Sequence, residues 1–320
     1  MPFTNKFSIE QLTEENVADV HTFCEKNMDH WSQPFRFFKL ASLGDTQYNA
    51  ELTLIARDED EKVAGFFMGT TRNKTPFFQQ GNVLKFFMVR RDLRRQGIGT
   101  WMLKKLYVKF KEQGRKGKIQ ALTSTPDFWF SGVNPKFTAA YFWLQKNGYK
   151  KSFWPWNQYR QDLYVEFDNP NIPIDLDSKP PEVKGNFEFK RVSPEYFERT
   201  VEFAKKHHGL GTWPEEIELS YRNDPPTTFI AVNIESDEII GWATHSGQFD
   251  GSFGPTAVLK SLRGQGIGGI LLAWSLYDLK QSGHKRCQIL WVVGDTVKYY
   301  SKVAGAYIGE TYYPMKGKIR

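Results

Sequence analysis

A chain of 320 residues with 40% apolar and 16% aromatic side chains can build two sizeable cores, which excludes global disorder. No apolar run approaches the roughly 20 residues of a membrane helix, and the start, MPFTNKFSIEQLTEEN, lacks a secretory apolar stretch. Cys24 and Cys287 form no C-x-x-C motif, and no metal site is expected. The expectation is a cytoplasmic protein with two buried, reduced thiols. Its net charge of +7 favours anionic partners without naming one.

In chain order, ENVADVHTFCEKN (15–27) reads as a helix. ELTLIARD (51–58) and KVAGFFMGT (62–70), split by the turn-like DEDE, read as a hairpin. GNVLKFFMV is a strand ending at Val89, and a helix follows from Gly97 with apolar Ile98, Met102, Leu103, Leu106 and Phe110 at helical spacing. It stops at Gly114, as a left-handed C-terminal position should. A strand starts at Lys118, and TAAYFWLQKNGYKK supplies a last helix. The basic stretch at 104–118 is expected to be a solvated helix face and turn. The clusters FWF (128–130) and FWPW (153–156) are expected to serve core or inter-domain packing, the alternative being a pocket for a sugar or an apolar acceptor.

Residues 168–185 carry four prolines and no periodicity, and read as a linker. The order then repeats. PEYFERTVEFAKKHH (194–208) is a helix, and TTFIAVNI and EIIGWATHS form a hairpin. SFGPTAV is a strand ending at Val258. A helix with Ile270, Leu271, Trp274 and Leu276 stops at Gly283, and RCQILWVV and VKYYSKVAGAYIGE close the series. The strings LRRQGIGTWML from Leu93 and LRGQGIGGILL from Leu262 stand 169 residues apart, too long a period for a solenoid. The expected fold class is α/β: two tandem domains, 1–167 and 186–320, each a twisted mixed β-sheet flanked by helices.

The repeated turn reads as an anion site. A helix start offers unpaired N–H groups and partial positive charge, and glycine lets a phosphate approach the backbone. Residues 264–269 fit G-x-G-x-x-G literally, but seven residues separate Val258 from Gly266, and no acid stands near Gly283 to Lys285. The first copy breaks that fingerprint with Arg95 and Thr100. Neither turn has the Lys-Ser or Lys-Thr of a Walker loop.

Arg94-x-x-Gly97-x-Gly99 and Arg263-x-x-Gly266-x-Gly268 resemble the Q/R-x-x-G-x-G/A motif of the GNAT acyltransferase superfamily, each five residues after its strand-ending valine. The tandem layout is similar to that of mycothiol-synthase-type double-GNAT proteins. The resemblance implies that acetyl-CoA is the cofactor. Its pyrophosphate would lie on the amides of Gln96, Gly97, Ile98, Gly99 and Thr100, and of Gln265, Gly266, Ile267, Gly268 and Gly269, with Arg94 and Arg95, or Arg263 and Gly264, beside them. Val89 and Val258 would pair with the pantetheine arm. An acetyl group would pass directly to a small-molecule or peptide amine where neighbouring strands part. A tyrosine on the last helix often protonates the leaving thiolate. Tyr300 fits that place if Ala304 stands for the usual glycine, whereas the first copy has Leu144 there, so the second copy is expected to carry the chemistry. His245, Asp250 and Glu51 are the candidate bases. The alternative is a non-catalytic acyl-CoA-binding or sensing protein. No nucleic-acid motif is present, and a monomer or homodimer is expected.

Overall fold

The computed structural model describes residues 6–28, 33–74, 79–152, 159–208 and 212–320. Two compact units comprise Met1–Asn157 with Tyr312–Arg320, and Gln158–Thr311. The first contains β1 (Ser8–Gln11), α1 (Val17–Asn27), α2 (Phe35–Ala41), β2 (Thr53–Arg57), β3 (Val63–Lys74), β4 (Gln79–Val89), α3 (Ile98–Glu112), β5 (Lys118–Ala121), α4 (Thr138–Lys146) and β6 (Lys150–Lys151). The second contains β7 (Arg160–Glu166), β8 (Val183–Lys184), β9 (Phe187–Arg191), α5 (Pro194–His208), α6 (Trp213–Ser220), β10 (Thr228–Asn233), β11 (Ile239–His245), β12 (Ser252–Val258), α7 (Ile267–Gln281), β13 (Arg286–Val292), α8 (Asp295–Ala304) and β14 (Tyr307–Tyr312). The last strand, β15 (Met315–Lys318), returns to the first unit.

The expected helix–hairpin–strand–helix–strand–helix order is present twice. The strand order is β1-β2-β3-β4-β5-β15-β6 in one sheet and β14-β7-β13-β12-β11-β10-β9-β8 in the other. The two halves therefore exchange a strand. β15 pairs antiparallel with β5, and β7 pairs antiparallel with β13, at matching places in the two sheets. The two compact units meet in the chain at Asn157/Gln158 and at Thr311/Tyr312. Residues 168–185, expected as an extended connector between domains, run along the second unit. Leu176 enters its core, the Trp274 indole donates to the Pro181 carbonyl at 3.1 Å, and Lys280 pairs with Asp177 at 2.7 Å.

Alternation along the strands assigns the faces, because successive side chains point to opposite sides of a sheet. In the first unit Leu54, Ala56, Phe67 and Leu84 pack under α3, while Ile55, Phe66, Phe86 and Met88 pack under α1 and α2. In the second, Phe229, Ala231, Ala243 and Phe253 face α7, while Ile230, Val232 and Trp242 face α5 and α6. Phe128, Trp129 and Phe130 are buried, and Trp129 stacks on Phe38 with centroids 5.4 Å apart, so this cluster packs a core. The FWPW cluster lies outside the described residues.

Both cysteines are buried and unbonded, and burial pushes their thiol pKa values up. Since the thiolate is the reactive form, Ellman's reagent is expected to titrate neither thiol in the native protein and both in denaturant. Fast labelling of either in the native state would contradict this burial.

Candidate active site

Both turns are built alike. Helix α3 starts from Gly97 at φ +90° and α7 from Gly266 at φ +82°, each in the left-handed region that glycine enters freely. Two residues earlier, Arg95 (φ +64°) and Gly264 (φ +83°) share that conformation. The first copy thus holds an arginine in a geometry that costs L-residues about 1–2 kcal/mol. Residues 94–97 and 263–266 are exposed, whereas Ile98 and Ile267 anchor the helices in their cores. The result is a solvent-facing helix N-terminus with free amide donors, which suits a pyrophosphate.

The motif arginines are exposed, yet each reaches back to its strand end. Arg94 Nε donates to the Val89 carbonyl at 2.9 Å, and its guanidinium also donates to the Asn27 carbonyl at 2.6 Å. Arg263 Nε approaches the Val258 carbonyl at 3.5 Å. Each arginine therefore ties the turn to its strand end, and its charge acts on the site at one remove. Lys184 was not foreseen. Its ammonium donates to the Gln265 carbonyl at 2.9 Å, and a Cβ placed on Gly266 would lie 2.7 Å from it. A lysine 80 residues before a turn gives no sequence signal.

Beyond the turn, neighbouring parallel strands part. β4 and β5 pair only at Asn82↔Ile119, Val83↔Gln120 and Leu84↔Ala121, with one further bond from the Leu122 amide to the Leu84 carbonyl. β12 and β13 pair only at Ser252↔Gln288 and Phe253↔Ile289. The remaining residues up to Val89 and Val258 leave an open backbone edge beside each turn, which can pair with an extended arm.

The last helices close these gaps differently. Tyr300 is buried and packs edge-on against Phe253, the last paired residue of β12, with centroids 6.0 Å apart. Burial, with smaller contributions from Tyr299 and Cys287, raises its phenol pKa. Tyr299 lies at the lip: a Cβ on Gly268 would sit 3.1 Å from its hydroxyl and 3.6 Å from Val258 Cγ2. Its phenol is raised by burial as well. In the first copy Trp143 takes the matching place. Its ring lies 3.5 Å from a Cβ on Gly99, its Nε1 donates to Thr100 Oγ1 at 3.2 Å, and it packs on Phe87 at 4.9 Å. Leu144 beside it is buried in the core.

Two of the candidate bases, His245 and Glu51, have other partners. His245 faces α7, with Nε2 2.9 Å from Asp278 Oδ2, and Asp278 also pairs with Arg191. Burial lowers the His245 pKa and Asp278 opposes that, so His245 holds α7 to the sheet. Glu51 accepts from Gln113 at 2.8 Å. Glu215 and Glu216 fill the first turn of α6, where acids suit the helix dipole. On the α5/α6 face, buried Trp242 Nε1 and His208 Nε2 have no hydrogen-bond partner among the described residues. Arg263 is one of the charges depressing His208, after burial.

The first copy carries a buried charge cluster instead. Arg72 grips Asp45 with two bonds of 2.6 and 2.5 Å and donates to Ser124 Oγ at 2.8 Å. Lys85 also pairs with Asp45, and its ammonium lies 5.2 Å from the Trp129 ring centroid. Burial would raise the Asp45 pKa, but Lys85 and Arg72 outweigh it and hold the carboxyl at about 2. Among the described residues no group of three His, Cys, Asp or Glu side chains is placed to hold a metal, and no helix is long and apolar enough to cross a membrane.

The family profile for the Acetyltransferase (GNAT) family matches residues 16–128 and again 192–306. The chain belongs to the GNAT family, as two tandem copies. A comparison with curated proteins finds no match. Solved structures share the fold at low identity. A GCN5-related glucosamine N-acetyltransferase region of a fungal multi-domain GH3 beta-N-acetylglucosaminidase aligns over 97% of this chain with a TM-score of 0.71 and 18% identity, and this chain spans 38% of that one. A GCN5-related N-acetyltransferase from Sphaerobacter thermophilus aligns over 99% of this chain and 96% of its own, with a TM-score of 0.68 and 16% identity. A tandem GNAT protein from the clavulanic acid biosynthesis pathway gives 98%, 99%, 0.69 and 15% in the same order.

Proposed function

We propose that this protein is an acetyl-CoA-dependent N-acyltransferase whose transfer takes place in the second copy. The observation that carries this is the pair Tyr299 and Tyr300 beside the β12–β13 gap, where the first copy has Trp143 and Leu144. The exposed turns, free amides and open strand edges fit a coenzyme A arm in both copies. When bound, acetyl-CoA supplies an activated thioester carbonyl. The chain then has two tasks. The strand edge aligns the arm, which converts an encounter into a near-unimolecular step. A phenol at the gap would donate its proton to sulfur as the acceptor nitrogen bonds to carbon and the carbon–sulfur bond breaks, and the proton that nitrogen gives up would restore the phenol.

Burial keeps the phenols protonated. Because their pKa values lie above the ordinary value near 10, the donor is retained as pH rises through the physiological range and beyond. Tyr300→Phe is expected to lower kcat about 100-fold with little change in acetyl-CoA affinity, read by thiol release across a panel of amines. Unchanged kcat in both Tyr300→Phe and Tyr299→Phe would remove the tyrosines from the chemistry. For the first copy, the tryptophan across its gap favours a second reading: a cofactor-holding site that does not transfer.

A further inference from the structure

The two strand gaps differ at one matched position. In each sheet the long central strand bulges directly after its last parallel pair. Opposite β3, Gly69 pairs with Leu84 and Met68 with Phe86, so Lys85 is skipped. Opposite β11, His245 pairs with Phe253 and Ala243 with Thr256, so Gly254 and Pro255 are skipped. Lys85 and Gly254 thus occupy the same apex, at the 169-residue offset of the turns.

What fills the apex is opposite in the two copies. A Cβ on Gly254 would meet no atom of the described residues within 4 Å, so among them the second gap has open space at its apex. In the first copy Lys85 runs into the α1/α2 side. Its side chain is 0% exposed, its ammonium is held by Asp45, and Trp129 lies over it. Arg72 and Ser124 complete the cluster: Arg72 donates to both oxygens of Asp45 and to the Ser124 hydroxyl.

We propose that Lys85 is an internal stand-in for the acceptor amine: it closes the acceptor side of the first copy, leaving a cofactor site that cannot transfer to an external amine. This rests on the reading of the gaps as thioester sites. It adds a second difference between the copies, beside the tyrosines: one side chain and its counter-ion close the acceptor side of the first. The burial that depresses the Lys85 pKa is opposed by Asp45 and Asp127.

The test uses the full chain with the second turn disabled by Gly266→Glu, and hydroxylamine as a small amine probe. Transfer to it forms acetohydroxamate as nitrogen bonds to the acetyl carbon, the carbon–sulfur bond breaks, and the nitrogen's proton ends on the coenzyme A thiol. The Gly266→Glu protein is expected to bind one acetyl-CoA by native mass spectrometry and to form no hydroxamate above the protein-free rate. Adding Lys85→Ala, which leaves Asp45 paired with Arg72, should raise hydroxamate formation at least tenfold. Lys85→Met removes the amine but keeps the bulk, and should stay closed. If Lys85→Ala fails to fold, Lys85→Ser, which keeps a hydroxyl donor beside Asp45 and leaves the Asp45–Arg72 pair intact, takes its place. A folded, cofactor-bound Lys85→Ala protein with no gain would overturn the proposal. So would acetyl-Lys85 in a peptide map of wild-type protein treated with acetyl-CoA, which would make Lys85 a reactant. Absence of any bound cofactor in Gly266→Glu would instead strike the cofactor reading of the first copy.

Discussion

Gly266→Glu is expected to lower acetyl transfer about 100-fold or more, while Gly97→Glu leaves it nearly intact. Two unit charges about 4 Å apart near a protein surface interact by about 4 kcal/mol, and each 1.4 kcal/mol is tenfold. A carboxylate at Gly266 would stand where a pyrophosphate meets the amides of α7. Lys184 offsets part of this, since its ammonium lies within 2.7 Å of where the new Cβ would be. Gly266→Ala separates the contributions. It adds the Cβ and the left-handed strain, about 1–2 kcal/mol, without the charge, and should cost about tenfold. Equal losses for Ala and Glu would mean that the turn only supports the fold. Equal losses for Gly97→Glu and Gly266→Glu would mean that both copies transfer.

The largest effect on stability is expected at Asp45. Asn in its place leaves Arg72 and Lys85 as like charges with 2% and 0% side-chain exposure. Removing one partner of a buried ion pair costs about 3–5 kcal/mol. The urea midpoint of the first unit should fall sharply, while the transition of the second unit stays in place. Two units need not unfold together, so separate probes are required. The pH dependence follows from the sign of the shift. Asp45 is held at about 2, below its unfolded value near 3.8. Its stabilisation is therefore complete above about pH 4 and is lost as pH falls through about 2. Wild-type protein should show this acid-sensitive component and Asp45→Asn should lack it. An unchanged urea midpoint would show that Asp45 is not carrying the charge of Arg72 and Lys85.

Much of the site is legible in the sequence because local rules dictate it. The glycine turns, the helices from Ile98 and Ile267 and their stops at Gly114 and Gly283 follow from backbone conformation and apolar spacing. The strand ending at Val258 falls where β12 ends. Strand partners are another matter. Period-2 alternation in RQDLYVE and MKGK says which face is buried and nothing about which edge each strand joins, so the exchange of β7 and β15 is invisible until the sheets are formed. The charge cluster is hidden for a similar reason. Asp45, Arg72 and Lys85 are far apart in sequence, and each reads as surface charge until the sheet brings them together. Tyr299 differs from Tyr300 by one step of helix, about 100°, and only the packed helix shows which hydroxyl lies beside Gly268. Lys184 comes from a stretch read as a spacer.

Cofactor stoichiometry decides whether two turns hold coenzyme A while one of them transfers. Native mass spectra across an acetyl-CoA titration are expected to show two molecules bound to the wild-type chain and one bound to either Gly97→Glu or Gly266→Glu, with turnover surviving only in Gly97→Glu. No bound acetyl-CoA on the wild-type chain, or full turnover in Gly266→Glu, would contradict it.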